Sequence, residues 1–158
     1  MNQTLTITLL VAATAADGIL AGASLDQSIK QLPARHKMGA IAFSVYSRAS
    51  DLGSGIIWYA VLGIGSAILT IAAAIAAFFQ GTAPIHAVPL YIAAGLTVLH
   101  SFTTTQAAPT NFKQRQVAND EAALTAIFHR FERWQTLRVV FQALTFAAVL
   151  WALVTYVS

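Results

Sequence analysis

No cysteine occurs in the 158 residues, which excludes disulfides, thiolate nucleophiles and thiolate metal ligands. Charge is nearly as scarce. Asp, Glu, Lys and Arg make up 9% of the chain, against about 25% in soluble domains, too little to cover a water-facing surface. Also missing are a G-x-G-x-x-G phosphate turn, a P-loop and an H-E-x-x-H metal motif. There is no internal repeat, no low-complexity tract and no sign of a second domain, so residues 1–158 read as one membrane domain.

What is present is apolar: 57% of residues are hydrophobic, with a mean hydropathy of +0.66. Four runs, about 4–25, 56–79, 84–107 and 135–157, each exceed the roughly 20 residues that a helix needs to cross a bilayer core. The first lacks the basic start of a signal peptide and is too long for its apolar stretch, so it counts as a span. The expected fold is all-α, an integral membrane antiparallel four-helix bundle.

Basic residues set the orientation. All nine Lys and Arg fall in two groups: Lys30, Arg35, Lys37 and Arg48, then Lys113, Arg115, Arg130, Arg133 and Arg138. The positive-inside bias puts both connecting loops in the cytoplasm and both termini outside. We therefore expect a protein of a bacterial inner membrane. The net charge of +3 reflects this bias and points to anionic membrane lipids as partners, with no nucleic acid. A homo-oligomer stays open.

Both basic connections have helical patterning, so the bundle is expected to carry amphipathic cytoplasmic helical extensions. Pro33 suits a first turn, and Met38, Ile41, Ala42 and Val45 follow at helical intervals up to the weakening Gly53 and Gly55. Asn119 or Asp120 can cap the other extension. There Leu124, Ile127, Phe128, Phe131 and Trp134 form an apolar stripe running into the last span without Pro or Gly. Pro109 predicts an end to the third span near Ala107.

Polar residues inside spans are costly and need a reason. Residues three, four and seven apart share a helix face. Such faces hold Thr14, Asp17, Ala21 and Ser24; Tyr59, Gly63, Ser66 and Thr70; Thr97, His100 and Thr104 beside Thr103; and Arg138, Gln142 and Thr145. Small residues in these faces serve close helix packing, as in "GILAG", and the threonines can satisfy themselves on their own backbone. Asp17 and His100 demand more. At 1.5 Å per residue, Asp17 lies roughly 12 Å, and His100 and Gln142 about 10 Å, from the cytoplasmic ends of their spans. The polar groups thus gather in the cytoplasmic half and suggest one pocket there.

Such a pocket suits proton abstraction. An aspartate beside His100 would fix its tautomer and raise its basicity, and Arg138 could stabilise a developing oxyanion. Trp58, Tyr59 and Trp134 offer flat faces to an aromatic substrate, while Thr103, Thr104, Asn111 and Gln142 supply hydrogen bonds. The alternative is an Asp17–His100 or Asp17–Arg138 pair acting as structural glue. A metal would want further ligands at close spacing, so no metal site is expected.

"DGILAG" in the first span, "APTNF" after the third and "FERWQTLRVVFQALTF" entering the fourth resemble the anthrone-oxygenase-like family of small four-helix integral membrane proteins. Pro109 and Asn111 match its Pro-x-Asn turn, and Trp134 and Arg138 its tryptophan followed one turn later by a basic or polar group. Where many members carry a histidine then an arginine, this chain has Arg138 then Phe141. The resemblance implies oxidation of a polycyclic anthrone without a bound organic cofactor. Two readings follow. One is a membrane-embedded oxidoreductase acting on an anthrone- or quinone-like molecule, with Asp17, His100 and Arg138 catalytic. The other is a non-catalytic protein holding a lipid, quinone, haem or partner subunit in the same pocket. No cofactor is expected on the first reading; haem or metal on His100 stays open on the second.

Overall fold

A computed structural model describes residues 3–117 and 119–157. Among them the secondary structure is helical throughout, with short turns and no strand. The elements are α1 (Gln3–Asp26), α2 (Leu32–Met38), α3 (Ala40–Ala49), α4 (Gly55–Phe79), α5 (Pro84–Phe112) and α6 (Glu121–Val157). Wide helical turns over Gln27–Gln31 and Ser50–Ser54 join α1 to α2 and α3 to α4. Four long helical stretches result, Thr4–Met38, Ala40–Phe79, Pro84–Arg115 and Glu121–Val157, each long and apolar enough to cross a membrane. The four predicted runs lie inside them.

The breaks have local causes. Gly39 has φ 82° and Gly81 φ 60°, a left-handed geometry that costs glycine little. Pro84 opens α5 in its first turn, where its missing N–H is no loss. Asp120 caps α6 by accepting a hydrogen bond from the Ala123 N–H at 2.9 Å, as the sequence suggests.

α1 packs against α4 and α6, and α5 against the same two, closing a ring of four. One core, around Leu10, Ala73, Ala77, Leu90, Ala93 and Val149, is rich in alanine, which brings helix backbones close. The polar faces also turn inward: Ser24, Ser66, Thr70, Thr97, His100, Gln142 and Thr145 are all buried. A second core joins the extensions through Leu32, Phe43, Ala107, Leu124, Phe128 and Phe131. The Phe43 and Phe128 rings meet edge to face at 5.2 Å, and Arg35 donates to Glu132 across 2.7 Å. At 1.5 Å per residue α6 is about 55 Å long, well beyond a hydrocarbon core of about 30 Å. Its first turns therefore serve this second core, as the Leu124–Phe131 stripe indicates.

Two expectations are corrected. α5 does not stop near Ala107; it runs through Pro109 to Phe112 and on into a tight turn over Lys113–Arg115. Proline costs one backbone hydrogen bond there, and tertiary contacts past it hold the helix in line. Ala107 sits in the second core, and Gln114 bonds Asn111 at 2.6 Å, Ser47 at 3.2 Å and Ser44 at 3.1 Å. For the same reason α3 is rotated from the orientation its apolar stripe suggests. It buries Ala40, Phe43, Ser44 and Ser47, leaving Ile41 39% and Val45 55% exposed, while Met38, the last residue of α2, is 46% exposed.

Candidate functional site

The polar ends of α1, α4, α5 and α6 surround a cavity of about 790 Å³. Of the expected site residues, Tyr59, His100, Thr104, Asn111, Arg138 and Gln142 line it. His100 and Gln142 face each other on α5 and α6, with 2.7 Å between His100 Nε2 and Gln142 Nε2. The amide therefore donates to a ring nitrogen that accepts, and in this arrangement the His100 proton sits on Nδ1. Arg138 donates through Nη2 to Gln27 Oε1 at 3.2 Å. Gln27 in turn donates to Asp51 Oδ2 at 3.1 Å. A single glutamine thus bridges a cation and a carboxylate from different helical stretches.

This bridge extends further. Ser47 donates to the same Asp51 oxygen at 3.4 Å, and Gln114 links Ser47 to Asn111. One hydrogen-bonded chain therefore runs from Arg138 to Asn111 through both connections. Arg115 adds a bond to the Leu52 carbonyl at 2.6 Å, which pins the turn that carries Asp51. Fixing side chains from several elements in this way pre-orders a site before anything binds.

Three residues lining this cavity each carry a buried atom with no hydrogen-bond partner among the described residues: Ser24 Oγ, Arg138 Nε and Gln142 Oε1. Buried polar atoms are normally paired, and each unpaired one costs about 1–3 kcal/mol. Together these atoms carry two donors and two acceptors that no described residue satisfies.

The remaining expected residues lie elsewhere. Asp17 is buried beside Ser66 and accepts a hydrogen bond from Thr70 Oγ1 at 2.8 Å; it lines no part of the cavity. The expected pairing with His100 or Arg138 is replaced by a hydroxyl partner because Asp17 faces α4. Trp58 is 54% exposed on the outer side of α4. Trp134 packs against Phe102 and lines a separate surface hollow with His129, Arg130 and Arg133. Thr103 is buried and bonds to the His100 carbonyl at 2.7 Å, a carbonyl that Thr104 also reaches at 3.0 Å. Thr105 does the same toward Phe102, so the threonine run mainly satisfies its own helix.

Ser24, Gln27 and Asp51 were not anticipated as lining residues. Two signals could have found them. Gln27 continues the Asp17–Ser24 face one turn past the apolar run, and Asp51 is one of only 6 acids, set just before a Gly-rich kink. Among the described residues no three His, Asp or Glu side chains are grouped to hold a metal ion. No protein-family model, curated protein or solved structure matches this chain.

Proposed function

We propose that the chain is an antiparallel integral membrane bundle that takes a lipophilic aromatic ring, anthrone- or quinone-like, into this cavity and acts on it as an oxidoreductase. The observation carrying the reading is the convergence of His100, Gln142 and Arg138, two of them with unpaired buried atoms, at one end of an otherwise apolar space. Few hydrophobic pockets carry a base, a cation and a phenol together, and such convergence is the usual mark of a ligand site.

For an anthrone this reading assigns the following chemistry. Arg138 donates to the ring oxygen and stabilises the charge that develops there. His100 Nε2 accepts the proton from the ring carbon once the Gln142 amide that occupies its lone pair turns aside, leaving an electron-rich anion. Dioxygen then oxidises that anion; overall one dioxygen is consumed, and the anthraquinone and one water are formed. Gln142 orients the imidazole in the place where a carboxylate was expected. A non-catalytic binding role is the second reading, favoured by the commitment of Asp17 to Thr70, which leaves His100 without an acidic partner in contact.

Equilibrium binding tests the reading. In detergent the protein is expected to bind an anthrone or quinone ring one to one. Arg138→Leu should bind it about 10- to 100-fold more weakly, the value of a hydrogen bond from a charged donor. Unchanged binding in that variant, with an unchanged melting temperature, would contradict it. Binding without oxygen uptake selects the second reading.

Orientation is tested separately, using the absence of native cysteine. Thr82→Cys is expected to react with an impermeant maleimide from outside the cell and Gln116→Cys not to. The reverse pattern would overturn the assignment of the basic extensions to the cytoplasm.

A further inference from the structure

Resting on that ring-binding reading, we propose that the ligand carries a single long hydrocarbon tail laid along α4, so that the site takes a neutral quinone-class amphiphile drawn sideways from the bilayer. The cavity wall on α4 runs from Ile56 to Ile75, its lining positions alternating in steps of three and one. Those steps trace one unbroken face of the helix, about 28 Å long at 1.5 Å per residue. A ring system alone fills a fraction of that length.

Polarity is graded along the groove. At one end stand Ser24, Arg138 and Gln142 with their unpaired atoms. Ser24 and Gln142 are both almost fully buried, so bulk water does not reach those atoms and a head group engages them as the side chains turn toward it. Beyond Gly63 every α4 residue in the wall is alanine or isoleucine. A Cβ added at Gly63 would meet nothing within 4 Å, which leaves the passage between the two ends clear. Ile64 is 63% and Ile68 61% exposed, so the apolar part opens sideways, where the hydrocarbon lies on the membrane reading. A tail arriving from the bilayer is already out of water, so its gain there is close packing against α4 and not hydrophobic transfer.

The polar end selects a neutral head. Arg138 is the one cation and Asp51 the one carboxylate in its lining among the described residues, and Gln27 bonds to both. A phosphate head would meet a single cation already balanced by an acid, and like charges brought together are costly. A ring oxygen accepting from Arg138 Nε and a ring hydroxyl donating to Gln142 Oε1 satisfy both atoms without added charge. A quinol supplies both through its two hydroxyl groups, and the quinone form supplies the acceptor.

Two compounds and two variants test the tail. The compounds are a quinone bearing a long alkyl chain and the same ring with a methyl group in its place. The variants are Ala67→Phe and Ala72→Phe, at half-buried positions of the apolar wall. Each variant is expected to weaken binding of the tailed quinone by about tenfold or more. Binding of the methyl compound and the melting temperature should stay as in wild type. Comparing each variant with wild type for the same compound cancels the tail's partition into detergent. Equal affinity of the tailed quinone in all three proteins, or equal weakening of both compounds, would overturn the proposal. If wild type binds neither compound, the ring site fails and the tail with it; if the methyl compound binds and the variants are silent, only the tail is lost. Where a Phe variant melts early, Ala67→Val provides the same comparison with a smaller intrusion.

Discussion

Replacing His100 by alanine is expected to lower turnover of an anthrone-like substrate by about 10²–10⁴, the usual contribution of a positioned general base. Binding should change far less, because Arg138 still reaches the ring oxygen. Gln142→Leu removes the amide that meets Nε2 at 2.7 Å and should lower turnover by a smaller factor. Adding it to His100→Ala should change little, because members of one catalytic unit are strongly non-additive. Asp17→Asn is the informative contrast. Asp17 is bonded to Thr70 and lies outside the cavity, and an amide oxygen can still accept that bond, so turnover should remain near wild type. A loss in Asp17→Asn as large as in His100→Ala would restore the aspartate–histidine pair that residue spacing suggested. Oxygen uptake and melting temperature, measured on the same preparations, separate these outcomes.

Phe128→Ala is expected to be the most destabilising of the changes considered, at about 3–5 kcal/mol. The ring is fully buried, packs edge to face on Phe43 and lies 5.7 Å beneath the Arg35 guanidinium. Removing it leaves a void where α2, α3, α5 and α6 meet, and takes away the surface on which Arg35 is held toward Glu132. Denaturant melts in detergent should show this loss. A cost below about 1 kcal/mol would mean that the extensions form no shared core.

Much of the architecture was legible because it follows from counting. Apolar length identifies the four long helices, and the Leu124, Phe128 and Phe131 spacing identifies the buried face of the α6 extension. The inward faces of Ser66 and Thr70, and of His100 and Gln142, follow from helical periodicity. What periodicity cannot supply is which inward face meets which. Asp17, His100 and Gln142 occupy comparable depths, yet Asp17 turns to α4 and His100 to α6, a choice made by the rotation of each helix in the ring. Pro109 misled for a related reason: local propensity ends a helix there, whereas the Gln114 network with Ser44 and Ser47 carries it on. The exposed Val45 reflects the same network, because α3 turns its serines toward Gln114. Asp51 and Gln27 escaped because they lie just outside the apolar runs, in connections where the kinked chain folds back over the cavity.

On the proposed function a ring compound sits at the polar end of the α4 groove. Photo-crosslinking tests it most directly. A quinone carrying a photoreactive group on its ring, irradiated with the purified protein, is expected to modify peptides containing Tyr59, His100 or Gln142. Excess unlabelled quinone should abolish that labelling, and Arg138→Leu should reduce it by about the factor by which it weakens binding. Labelling spread over the outward faces of the helices, at Trp58, Phe78 or Trp151, and insensitive to competitor, would contradict the account.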